Sequence, residues 1–149
     1  MPSLPGRSPF PFGDHIVVEF MVKLVLGPEE AVPIPARFVY DLREPFAVCL
    51  EFPRPDGGGV TQWVFARELL ADGLRRPAGE GDVRFWPPCD RNGGNDLRML
   101  IRGTTGSAIL ELPQAPLREW LGRTWGAVAP GQESGLVDWD AVLHRLLLP

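Results

Sequence analysis

The chain carries few of the residues that perform chemistry. Its 149 residues include two cysteines (Cys49, Cys89), two histidines (His15, His144) and one lysine, Lys23. Two cysteines make no disulfide framework, and their spacing fits no zinc pattern. Cys49 reads as a buried strand residue and Cys89 as a loop thiol of a reducing compartment. No apolar run approaches the ~18 residues that a membrane-spanning helix needs, so no membrane insertion is expected. Excess positive charge is also missing. The formal net charge is -4 and the pI about 5.2, so nucleic-acid binding would require a segregated basic face. Residues 1–14 are rich in Pro, Ser and Gly without the apolar stretch of a signal peptide. They are expected to form a flexible arm on a cytoplasmic protein, with residues 15–149 as a single domain.

No catalytic constellation can be assembled from what remains. Asp14 and His15 are neighbours, and strand neighbours point to opposite faces. His144 falls in the last turn of a terminal helix, where positive charge complements the dipole. Ser107 lies in no nucleophile elbow, and Gly103-Thr104-Thr105-Gly106 lacks the lysine of a phosphate loop. Asp138 and Asp140 are explained by capping and first-turn roles. A non-enzymatic protein without metal or cofactor is the expectation.

What the chain has in abundance is strand, glycine and proline. Val18, Phe20, Val22, Leu24 and Leu26 alternate with Val17, Glu19, Met21, Lys23 and Val25, the period-2 signature of a strand over Ile16–Leu26. Pro28, Pro33 and Pro35 punctuate the next connection. A second strand places Ala36, Phe38, Tyr40 and Leu42 on one face. A third places Phe46, Val48, Leu50 and Phe52 opposite Ala47, Cys49 and Glu51. Asp56-Gly57-Gly58-Gly59 turns into a fourth, Val60–Phe65. A short helix, Ala66–Asp72, follows, with Gly73 suited to a left-handed cap. Strands are predicted over Asp82–Pro87, Leu97–Arg102 and Ser107–Leu112. One helix has Pro116 at its first position and Leu117, Trp120, Leu121 and Trp125 on its apolar stripe. A last helix begins at Asp138 with a stripe of Trp139, Val142, Leu143, Leu146 and Leu147. The expected fold is α+β: a strongly curved antiparallel sheet, a partial barrel of about seven strands, with flanking helices.

One surface suggests binding. Arg84 and Trp86 share a face of one strand, and Arg98 and Arg102 share a face of its hairpin partner. A basic, aromatic sheet can stack and steer single-stranded nucleic acid. Net acidity favours the plainer reading, a solvated face with one amphipathic Trp, so nucleic acid is not the expected partner.

Trp63-Val64-Phe65-Ala66-Arg67-Glu68-Leu69-Leu70-Ala71-Asp72-Gly73-Leu74 resembles the signature of the SsgA-like proteins, small sporulation and cell-division factors of filamentous, spore-forming actinomycetes. The likeness extends upstream through Tyr40-Asp41 and Pro45-Phe46-Ala47-Val48, and downstream through Arg76 to Pro87. It continues more weakly through Leu110–Pro113 and Ala127–Gly131. The 1–13 arm, the Pro87–Asn95 connection and the segment after Gly131 depart from the family pattern. The resemblance implies a whirly-like fold and homo-oligomers, with a trimer as the expected form. It also implies partners among division proteins, such as the tubulin-like ring protein FtsZ or other SsgA-like proteins. A cytoplasmic location with enrichment at the septum follows, and none of the family is established as an enzyme. Within the signature, Trp63, Phe65, Ala66, Arg67, Leu69, Leu70 and Gly73 are expected to build the fold and not to be the working surface.

Overall fold

A computed structural model of the chain describes residues 15–54, 56–88, 95–136 and 140. Seven strands and two helices occupy them, in the order β1 (His15–Gly27), β2 (Glu30–Asp41), β3 (Ala47–Pro53), β4 (Val60–Ala66), α1 (Arg67–Gly73), β5 (Val83–Trp86), β6 (Asp96–Gly103), β7 (Gly106–Pro113) and α2 (Gln114–Ala127). A 3-10 turn, Glu133–Leu136, follows. The arm, the Cys89–Gly94 part of the hairpin connection and the helix expected from Asp138 lie outside the described residues, apart from Asp140.

The strands form one antiparallel sheet in the order β4-β3-β2-β1-β7-β6-β5. It curls until its two edges meet through side chains, with the rings of Phe65 on β4 and Phe85 on β5 only 5.4 Å apart. The expected curved sheet of seven strands is the observed half-barrel. α1 bridges the two edges, and α2 packs on β1 and β7. Around Phe38, which is fully buried, stand Phe20 and Trp120 at 5.5 Å and Phe65 at 6.4 Å. Such ring pairs add about 0.5–1.5 kcal/mol each to their area burial. β1 pairs with β7 only over Lys23–Val25, and α2 serves part of the remaining flank. Trp120 Nε1 donates to the Ile16 carbonyl at 2.9 Å and Arg123 Nη2 to that of Val17 at 3.1 Å.

Several local expectations are corrected. Pro33 and Pro35 lie inside β2, paired with Lys23 and Met21. β3 covers only Arg37–Val39 of β2, so the proline half has an open flank, where a missing N–H is tolerated. Gly73 is the last helical residue and has no positive φ. Its requirement is space, because an added Cβ would overlap Phe85 Cβ and stand 2.8 Å from Cγ. Pro116 is the third residue of α2, not the first, still among the first-turn positions whose N–H needs no helical partner. The buried stripe of α2 is Leu117, Trp120, Leu121 and Thr124, and Trp125 is left partly exposed. Phe46 precedes β3 and is exposed, Leu26 emerges at the end of β1, and Glu51 is buried.

Candidate functional site

The signature residues build the junction of β4, α1 and β5. Trp63 is half-buried, with its indole Nε1 buried and unpartnered and its ring edge close to Gly103 across the half-barrel. Phe65 and Leu70 are core, Leu69 packs against it, and Ala66 is the exposed, extended residue that precedes α1. Arg67 is 1% exposed, an unusual place for a guanidinium. Its Cζ sits 4.9 Å from the centre of the Tyr40 ring. Nη1 donates to the Thr124 carbonyl at 3.2 Å and to Oγ1 at 3.4 Å, and Nη2 donates to Glu133 Oε2 at 2.8 Å. One side chain thus pins α1 to α2 and to the 3-10 turn. The Arg67 hydrogen bond, reinforced by a backbone N–H, holds the Glu133 carboxyl below its usual range. Burial pushes the Tyr40 phenol up, and its hydroxyl donates to the Pro45 carbonyl at 2.9 Å.

Arg84, Trp86, Arg98 and Arg102 do come together on the outer face of β5 and β6, since Trp86 pairs with Arg98 and Arg84 with Leu100. Their charges are largely engaged. Arg98 Nε lies 3.5 Å from Glu111 Oε2, and the Arg84 guanidinium donates to the carbonyls of Gly81 and Glu80. Trp86 is 37% exposed. Among the described residues no three metal-ligating side chains converge, and no helix is long and apolar enough to cross a membrane.

The more extensive surface is the outer face of β1–β4, which the pairing organises into bands. Val17, Val39, Cys49 and Val64 form one apolar row across four strands. Glu19, Arg37, Glu51 and Gln62 form the next row, all polar. Glu51 is 6% exposed because Arg37 donates to its Oε1 at 2.6 Å from Nη2 and 2.9 Å from Nε, while Gln62 donates to Oε2 at 2.6 Å. Beyond this ladder β2 leaves β3 and opens an apolar cleft of about 500 Å³, lined by Met21, Pro35, Phe52, Pro53 and Val60. Val64 is 63% and Met21 53% exposed. Alternation in the sequence sets the row residues of β1–β3 opposite the core side chains, whereas Phe52 of the cleft alternates with Val48 and Leu50 and packs against the core. Alternation does not reveal the rows, which depend on how the strands align.

A curled antiparallel half-barrel with a pinned interior and an apolar-banded exterior defines a small α+β protein whose candidate site is a surface. The family model described as "Streptomyces sporulation and cell division protein, SsgA" matches residues 34–133. The chain belongs to this SsgA family, as its signature residues suggested. It is 38% identical over 134 residues, 90% of this chain and 92% of the relative, to "Sporulation-specific cell division protein SsgB" of Frankia casuarinae. It is 40% identical over 129 residues, 87% and 93% of the two chains, to the protein so named in Streptomyces coelicolor. A solved structure described as "Crystal structure of SsgA-like sporulation-specific cell division protein from Thermobifida fusca" superposes with a TM-score of 0.75 and 36% identity, covering 89% of this chain and 96% of that one. A second, described as "Mutations in SsgB correlate to longitudinal cell division during sporulation of Streptomyces coelicolor", also gives 0.75, with 38% identity over 82% of this chain and 94% of that one. The chain therefore belongs among proteins of sporulation-associated cell division, a family not known for enzymes.

Proposed function

We infer that this protein is a non-enzymatic adaptor of sporulation-specific cell division that acts on septum placement or formation through the FtsZ machinery. The observation that carries this reading is the banded outer face of β1–β4, where Val17, Met21, Val60 and Val64 remain exposed beside an apolar cleft. Exposed apolar patches rimmed by polar groups mark protein contact surfaces. Residues 15–149 act as one domain in this reading, in the cytoplasm with enrichment at the septum. The protein assembles with copies of itself, as a trimer, or with other SsgA-like proteins. The test is co-sedimentation of the purified protein with FtsZ polymers. Saturable binding that Val64→Lys weakens at least ten-fold, without loss of folding, is the expected result. Absence of binding by the parent protein would sink the FtsZ reading.

The face of Arg84, Trp86, Arg98 and Arg102 supports a second reading, binding of single-stranded nucleic acid, because pairing brings Trp86 beside Arg98. Salt-titrated binding of labelled single strands separates the two. Affinity that falls steeply with salt, and is abolished by Arg84→Ala with Arg98→Ala, would favour this second reading.

A further inference from the structure

We propose that the cleft between β2 and β3 is a slot for one bulky apolar side chain of a partner protein, carried on a segment rich in Arg or Lys. The slot rests on the adaptor reading and specifies what its partner must present.

Prolines open the slot. β2 and β3 pair at Arg37–Glu51, Phe38–Leu50 and Val39–Cys49, and the ladder ends there. Two residues further on, the same register would oppose Pro35 to Pro53, and neither has an N–H to give. β2 continues as the partner of β1 down to Glu30, while β3 stays with β4 as far as the Pro53–Val60 pair. The gap passes through the wall of the half-barrel, because its lining comes from both faces of the sheet. Met21, Pro35 and Val60 line it from the outer face, and Phe20, Ala36 and Phe52 from the core face. An added strand would meet Pro33 and Pro35 on one rim and Pro53 on the other, and prolines blunt an edge against strand addition. A side chain is the occupant that remains.

Size, polarity and charge define that side chain and its neighbours. The cavity of about 500 Å³ lies in the range of built binding sites and holds a bulky side chain with the backbone that carries it. Phe20 stands 5.5 Å from the buried Phe38 ring, so an entering ring would extend the aromatic cluster of the core. The polar row at the rim sets two carboxylates, Glu19 and Glu51, against the one guanidinium of Arg37. Residues 15–66 as a whole hold seven carboxylates and four basic side chains. Glu51 is buried under its bonds from Arg37 and Gln62, whereas Glu19 is exposed. Glu19 is therefore the group that a partner's cation reaches.

Selection of displayed random nonapeptides on the full-length protein tests the slot. Enriched peptides should share one Phe, Trp, Leu or Met with Arg or Lys close beside it. The best of them should shift the NMR signals of the Met21 and Val60 methyl groups. Met21→Gln with Val60→Thr makes the rim polar at similar size and should weaken that peptide roughly ten-fold; Val60→Thr alone serves if the double variant unfolds. Exchanging the basic residues of the peptide for Glu should weaken it several-fold on the parent protein, and Glu19→Lys should recover most of that loss. No enrichment, shifts on another face, or affinity indifferent to the rim would overturn the proposal. Enrichment of acidic or uncharged peptides would overturn it equally. FtsZ is absent from the selection, so failure here leaves the adaptor reading standing, and failure to co-sediment with FtsZ removes that partner without touching the slot.

Discussion

Gly73→Ala separates packing from helix propensity at a position where the two oppose each other. Gly73 is helical, and at such a site alanine ordinarily gains roughly 0.5–1 kcal/mol. Here the new methyl would overlap Phe85 Cβ and stand 2.8 Å from Cγ and 3.2 Å from Cδ2. No rotamer of Phe85 relieves an overlap that involves Cβ itself. The residue cannot retreat easily either: it is fully buried, its ring abuts Phe65 at 5.4 Å, and its backbone is paired with Met99 and bridged to Ala78. Overpacking of this kind costs about 1–3 kcal/mol, which outweighs the propensity gain. For a net loss of ~2 kcal/mol the midpoint of thermal unfolding should fall by roughly 4–8 °C. Gly122→Ala is the control, because nothing lies within 4 Å of a Cβ built at that helical glycine. It should raise the midpoint by about 1–4 °C. Urea unfolding should show a lower midpoint concentration for Gly73→Ala at unchanged slope. A Gly73→Ala protein as stable as the parent, beside a stabilised Gly122→Ala, would refute the packing argument.

Four further outcomes follow from the structure. Arg67→Met should cost about 3 kcal/mol in urea unfolding, since it leaves the Glu133 charge without its cationic partner and strips the Thr124 carbonyl of its second donor, the first being the Val128 N–H. Glu133→Gln should cost less, and its deficit should depend on pH in a defined direction. The folded-state pKa of Glu133 is lowered, so its contribution is present above the ordinary carboxylate value of about 4.3 and is lost as pH falls through the lowered value. The gap between parent and Glu133→Gln should therefore close in acid, and a gap that closes in alkali would contradict the assignment. Tyr40→Phe should cost about 1–2 kcal/mol, because it strips the Pro45 carbonyl of a buried donor; calorimetry showing no change would contradict that bond's role. The Cys49 thiol is pushed up to about 11, by burial first and then by the Glu51 charge. In a Cys89→Ser protein, alkylation at pH 8 should run about a hundred-fold slower than for a free thiol of pKa ~8.5 and accelerate as pH approaches 11. Rapid modification at pH 8 would exclude the raised value.

Alternation in the first three strands and turn residues between the later ones located all seven, because the half-barrel buries one face of its sheet and its strands are joined by short glycine-rich links. Pro33 and Pro35 misled the boundary of β2 for a tertiary reason: only the short pairing with β3 makes prolines harmless there. Gly73 was legible as special but not for its cause, since close approach to Phe85 depends on a strand that starts ten residues later. Arg67 and Glu51 carry the polar character of surface residues, and local pattern assigns them to solvent. Their partners are Thr124, Glu133, Arg37 and Gln62, distant in sequence, so their burial could not be read locally. The outer-face residues were legible one by one, whereas their grouping into bands arises from strand alignment.

The strand order also bears on how the chain folds. β1 to β4 form a meander of neighbouring hairpins, and so do β5 to β7, so both can assemble from contacts between residues near in sequence. Only the three-residue seam between Lys23–Val25 and Ile109–Glu111 joins the two meanders within the sheet. Forming it closes most of the chain into a loop, an entropic cost met by few ladder bonds at the moment of closure. Loop closure therefore makes the seam the step expected to be slow in folding. Residues 67–82, with α1 as their first half, link the meanders covalently between β4 and β5 and bound how far apart the halves can drift before they find it.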